Sequence, residues 1–145
     1  MAVDVLTEID IALPRAQVAA YAMDPDNATE WYANIRSVRW ETEPPLAVGS
    51  RFAFVAQFLG RTLAYSYEVR ELVPARRFVM STAQGPFPME TVYEWEDAPG
   101  GGTRMRLRNQ GEPSGFSKVA APVMARAMRS ANDKDLRQLK RILES

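Results

Sequence analysis

The feature that most limits what this chain can become is a series of short runs in which apolar and polar residues alternate, linked by turns and followed by one long helical segment. Alternation at period two places every second side chain on the same face of a strand. From Val3 to Ile11, the residues Val3, Val5, Thr7, Ile9 and Ile11 face one way and Asp4, Glu8 and Asp10 the other. Val38, Trp40 and Thr42 repeat the pattern until Pro44-Pro45, Phe52, Phe54, Ala56 and Phe58 until Gly60, and Leu63, Tyr65, Tyr67 and Val69 until Pro74. A shorter run from Phe78 to Ala83 precedes Gly85-Pro86-Phe87-Pro88. Met89 to Glu96 then carries Thr91, Tyr93 and Trp95 on one face, and the turn Asp97-Ala-Pro-Gly-Gly-Gly102 joins it as a hairpin to Thr103–Gln110. Consecutive strands of this kind make an antiparallel sheet with one face to be covered.

The cover has to come from the segment after Pro113-Ser114-Gly115, which reaches Ser145 with Pro122 as its one strong breaker and reads as a long helix. Its first half is rich in Ala and Met through Val119, Ala120, Ala121, Val123, Met124, Ala125, Ala127, Met128 and Ala131, and Pro122 predicts a ragged or bent start. Its second half is amphipathic through Leu136, Leu139, Ile142 and Leu143. Two shorter helices are expected between the first two strands, Arg15 to Met23 after Leu13-Pro14 and about Asp26 to Tyr32 after Asp24-Pro25, the latter carrying Trp31.

Length and composition set the remaining bounds. At 145 residues, 46% hydrophobic and 25% charged, the chain has material for one core, so 1–145 is expected to be a single domain. Lys+Arg and Asp+Glu both number 18, which leaves no overall field to draw the protein onto nucleic acid or an anionic membrane. The absence of Cys and His removes disulfides, thiolate nucleophiles, imidazole bases, Cys/His zinc sites and His-ligated haem or iron. No cofactor is expected. With no apolar run long enough for a signal peptide or membrane span, the expected compartment is the cytoplasm.

The order and spacing of several fragments resemble the START-like or SRPBCC helix-grip proteins, in the branch described as polyketide cyclase/dehydrase-like. The fragments are Ile9-Asp-Ile-Ala-Leu-Pro-Arg-Ala-Gln-Val18, Ala22-Met-Asp-Pro-Asp26 with Trp31, Val48-Gly-Ser-Arg-Phe52 and Val69-Arg-Glu-Leu-Val-Pro74. Tyr93-Glu-Trp95 with Gly101-Gly-Thr-Arg104, and Leu139-Lys-Arg-Ile-Leu-Glu144, complete the set. The resemblance implies an α+β helix-grip fold: a seven-stranded curved antiparallel sheet wrapped around the C-terminal helix, with the two short helices between strands 1 and 2. It also implies binding of a small hydrophobic molecule, lipid-, polyketide- or sterol-like. A cofactor-independent cyclase, aromatase or dehydratase, and a chaperone-cofactor-like protein-interaction module, are the alternatives the same family offers.

The inward faces converge on Trp31, Phe54, Phe58, Tyr65, Tyr67, Met89, Tyr93, Asn109, Phe116, Met124 and Met128, which are the expected ligand-binding residues. Each of them would equally serve as core filling, and a ligand site requires a void of about 300 Å3 or more. Tyr65, Tyr67 and Tyr93 are the catalytic candidates, as phenols able to polarise a carbonyl, with no charged partner expected beside them. Glu90, Glu94 and Glu96 are expected to face solvent and pair with Arg104, Arg106 and Arg108 across the hairpin. Asp24, Asp26 and Glu30 read as helix capping. Arg126, Arg129, Lys134, Arg137, Lys140 and Arg141, interrupted by Asp133, Asp135 and Glu144, read as a solvated helix face rather than a nucleic-acid surface. Gly85-Pro86 and Phe87-Pro88 fit a cavity rim or the contact of a homodimer equally well.

Overall fold

The computed structural model describes residues 3–58, 60–85, 88–112 and 121–145. Seven strands run in the order β1 (Val3–Ile11), β2 (Ile35–Trp40), β3 (Arg51–Phe58), β4 (Arg61–Val73), β5 (Arg77–Gln84), β6 (Met89–Asp97) and β7 (Thr103–Gly111). Between β1 and β2 lie α1 (Arg15–Met23), a 3-10 turn (Pro25–Asn27) and α2 (Ala28–Trp31), and α3 (Ala121–Glu144) closes the chain. The strands form one antiparallel sheet in the spatial order β1-β7-β6-β5-β4-β3-β2, so that β1 and β2 are its edges. This is the α+β helix-grip arrangement expected above. Register shifts in the β4–β5 pairing, between Ser66 and Tyr67 and between Val69 and Glu71, add local twist to the longest strand and help the sheet curl.

The predicted second short helix is split. Asp24 ends α1 and caps the following turn, its carboxylate accepting the Asp26 N–H at 3.0 Å, which leaves only four residues for α2. Asp26 in turn accepts the Trp40 indole N–H at 3.0 Å, and Glu30 accepts the Tyr21 hydroxyl. These acids thus hold the wedge of short helices together. Pro122 lies in the first described turn of α3, where a backbone N–H finds no intrahelical acceptor in any case.

An edge strand carries unpaired backbone groups that need cover. On β1 and just beyond it, α3 supplies it: Arg129 donates to the Leu6 carbonyl at 3.3 Å, Lys140 donates to that of Asp10 at 2.6 Å, and Glu144 accepts the Ala12 N–H at 2.8 Å. Arg129 and Lys140 therefore fasten the helix to the sheet, which corrects their reading as part of a merely solvated face. The other cations of that run, Arg126, Lys134, Arg137 and Arg141, are exposed as expected.

The outer face of β7 also differs from expectation. Arg104 and Arg108 bond to Asp10 and Asp4 of β1 at 2.8 and 2.7 Å, and Arg106 bridges Glu96 of β6 at 2.7 Å and Glu8 of β1 at 3.1 Å. Glu94 turns the other way, to Arg77 at 2.5 Å. A central strand offers its side chains two neighbours, and here the β1 carboxylates take most of the contacts.

Inside, the buried apolar residues form two separate clusters. The larger joins Val18, Trp31, Phe52, Phe78, Trp95, Met105 and Leu107 to Leu136 and Leu139 of α3. The smaller joins Val3, Val5 and Leu63 to Met124 of α3, with Phe58, Tyr65, Met89 and Met128 against it. One helix thus anchors both, with its two halves in different surroundings. No helix among the described residues is long and apolar enough to cross a membrane.

Candidate functional site

Between the two clusters lies a void of about 170 Å3, partly open to solvent. Phe54 and Phe58 from β3, Tyr65 and Tyr67 from β4, Met89, Thr91 and Tyr93 from β6 and Asn109 from β7 line its sheet side. Met124, Met128, Ala131, Asn132 and Asp135 line its helix side, and Tyr32, following α2, lines one end. Strand pairing explains the clustering, because Phe54 lies opposite Tyr65 and Thr91 opposite Asn109, which puts these side chains on the same concave face. Gly85 is needed for close approach: a Cβ there would come within 2.6 Å of the Tyr65 ring.

Nine of the eleven residues expected from the inward faces line this void: Phe54, Phe58, Tyr65, Tyr67, Met89, Tyr93, Asn109, Met124 and Met128. Phe116 lies outside the described residues. Trp31 does not line the void. It is 1% exposed and wedged into the larger core, its ring centroid 4.0 Å from that of Tyr32 and 5.8 Å from that of Tyr93. An aromatic residue on an inward face fills core or lines cavity according to its depth, which the alternation pattern does not encode.

The void is smaller than the 300 Å3 expected of it. Phe58, Tyr65, Met89 and Met128 gather on Met124 and take up volume at one end. A guest of sterol size does not fit this conformation. Met side chains, with three rotatable bonds, are the ones on this wall that adapt most readily.

The polar groups concentrate at the other end. Tyr32 and Tyr93 share a hydrogen bond with their hydroxyls 2.6 Å apart, and Thr91 donates to the Asn109 side-chain oxygen at 2.9 Å. Asp135 is 3% exposed, and its Oδ1 accepts the Ala33 N–H at 3.0 Å. Burial raises its pKa to about 6, against the opposing pull of the Ala33 N–H and of Lys134. Asn132, one turn earlier and 6% exposed, has an amide nitrogen without a hydrogen-bond partner. Burial also raises the phenols: Tyr67 is pushed up to about 12, and Tyr32, Tyr65 and Tyr93 move in the same direction. The Asp135 carboxylate acts on both Tyr32 and Tyr93, so the expectation that no charged group stands near the tyrosines is corrected.

Tyr32, Asn132 and Asp135 were not among the expected site residues. The signal was present for the last two. Counting back from Leu139 by helical steps of three and four reaches Asp135, Asn132 and Met128, so two polar residues occupy the inward stripe. The charged neighbours Asp133, Lys134 and Arg137 made the segment look like a solvated face.

A sheet gripping one long helix, with a partly apolar hollow between them, defines the class: a START-like helix-grip protein. Residues 2–144 match the model of the family described as "Polyketide cyclase / dehydrase and lipid transport", and the chain belongs to that family. Among solved structures, a START superfamily protein from Mycobacterium smegmatis is similar at 13% identity, covering 97% of each chain with a TM-score of 0.82. The Zhui aromatase/cyclase from Streptomyces sp. R1128 is similar at 14% identity, covering 99% of this chain and 94% of its own, with a TM-score of 0.79. The major latex-like protein 151 from Panax ginseng is similar at 12% identity, covering 96% of this chain and 95% of its own, with a TM-score of 0.74. At these identities the likeness is one of fold. No protein with a curated description matches the sequence. Family and fold together support hydrophobic-ligand binding or polyketide cyclase-type activity.

Proposed function

We propose that the protein binds one small, largely apolar guest of about one or two rings in the void between the sheet and the first half of α3. The observation that carries this reading is the unfilled space between two cores, walled by aromatic and Met side chains. Apolar cavities of about 150 Å3 stay dry and take up benzene-sized molecules. The void of about 170 Å3 is of that scale. Phe54, Phe58, Tyr65, Met89, Met124 and Met128 form the apolar wall, and Tyr67, Tyr93 and Asn109 orient the guest.

Native mass spectrometry of freshly purified protein is expected to show a co-purifying molecule, and the melting temperature is expected to rise with the logarithm of its concentration. Ala131→Phe, which projects a ring from the helix wall, is expected to abolish both effects with the fold intact. A variant that still bound the guest would contradict the reading.

A second reading, cofactor-independent cyclisation or dehydration, draws support from the bonded pair Tyr32 and Tyr93 beside Asp135. With their pKa raised by burial, these phenols serve as hydrogen-bond donors to a carbonyl rather than as bases. Tyr93→Phe would then lower turnover of a reactive poly-ketone, whereas unchanged turnover in the singly substituted Tyr65, Tyr67 and Tyr93 variants would rule out the phenol role. The protein-interaction reading calls for a gathered apolar patch. Among the described residues, four large apolar side chains are exposed: Leu6, Val48, Val73 and Val123.

A further inference from the structure

Among the described residues lining the void, the charged ones are Asp24 and Asp135, both acidic, and no Lys or Arg is present. Asp135 is the deeper of the two. It takes part in no ion pair among the described residues, and Lys134, which weakly opposes its rise in pKa, is itself exposed. Its one hydrogen bond among the described residues comes from the Ala33 N–H, to Oδ1. A carboxyl with a pKa of about 6 is ionised at neutral pH, so the folded protein holds a buried negative charge without a cation of its own.

A guest that brings a positive charge removes that cost. The rings of Tyr32, Tyr67 and Tyr93 stand around the same end of the void, and aromatic faces attract a cation placed over them. The Asn132 amide lies on the same wall, and its nitrogen has no hydrogen-bond partner among the described residues, so it offers a donor to an acceptor on the guest's ring or chain rather than to the ammonium. A carboxylate or phosphate head would meet like charge in this pocket and find no basic side chain among the described lining residues.

From this we infer that the void selects a small aromatic amine, with its ammonium group against Asp135 and its ring among the Phe, Tyr and Met side chains. The inference rests on the small-guest reading above and goes beyond it by assigning the sign of the guest's charge and the residue that reads it. Asp135 is the specificity-determining group.

Titration calorimetry near neutral pH with phenethylamine, phenethyl alcohol and phenylacetate tests this, since the three share a ring and chain length and differ in charge. The amine is expected to bind roughly tenfold or more tighter than the alcohol, with phenylacetate weakest. Asp135→Asn is expected to bring the amine down to the level of the alcohol. Equal or tighter binding of the alcohol, or an amine preference that survives in the variant, overturns the inference and leaves the small-guest reading standing. Binding of none of the three to the wild-type protein overturns both. If Asp135→Asn does not fold, the wild-type series decides the matter alone.

Discussion

The two halves of α3 meet the same sheet and end in different states. Its second half sends Leu136 and Leu139 into a continuous core with Trp31, Trp95 and Met105, none of which lines the void. Its first half sends Met124 and Met128 toward Tyr65 and Met89, forming a cluster of only a few buried residues that does not join the first. Branched Leu side chains interlock with large aromatic rings, whereas Ala131, Met124 and Met128 are too small or too pliant to fill the width of a curled sheet. One half provides stability, and the other leaves room.

The sharpest way to break this comparison is to shorten one side chain in each half. Leu139→Ala removes a fully buried residue and is expected to cost about 2–5 kcal/mol of unfolding free energy. Met128→Ala, at the half-buried wall of an existing void, is expected to cost about 1 kcal/mol and to widen the range of guests accepted. Urea denaturation of the two variants checks this, and equal losses would mean that the halves are alike.

Asp135 stands where the halves meet, and its effect on stability depends on pH. Its folded-state pKa of about 6 lies above the ordinary 3.8, so the folded state binds its proton more tightly than the unfolded chain. The resulting stabilisation is complete below about pH 4 and is lost as pH rises through about 6. A shift of this size corresponds to about 3 kcal/mol. Relative to wild type, Asp135→Asn is expected to be more stable by up to about 3 kcal/mol at pH near 8, with the advantage shrinking toward pH near 4. Denaturation curves at several pH values would show it, and an advantage that did not vary with pH would contradict the assignment.

Tyr93→Phe offers the smallest and most local test. It leaves the Tyr32 hydroxyl without its partner at 2.6 Å and is expected to cost about 1 kcal/mol. Thermal unfolding is the measure, and no change would mean that this end of the void is already hydrated.

How much of this was legible in the sequence follows from what alternation records. Period-two patterning gives the face of each strand, so the sequence alone puts Phe54, Tyr65, Tyr67 and Tyr93 on one inward face. It says nothing of residues on the short helices, and Trp31 at the end of α2, expected on the ligand wall, fills the core. The size of the void was likewise hidden, since it depends on how Met side chains fold back over one another. Asp135 and Asn132 were readable in principle, because both fall on the apolar stripe of α3, but a charged neighbourhood masked them. The ion pairs of Arg104, Arg106 and Arg108 could not be apportioned between β1 and β6 without the order of the strands, which alternation leaves open.

The most direct measurement is diffraction from crystals held under xenon pressure, since xenon enters dry apolar cavities and little else. Unfilled space between the two cores predicts a xenon atom in the void against its Phe54 and Ala131 walls, and its loss in Ala131→Phe. Xenon absent from that position in the wild-type protein, or unchanged in the variant, would show that the sheet and the first half of α3 already fill the space between them.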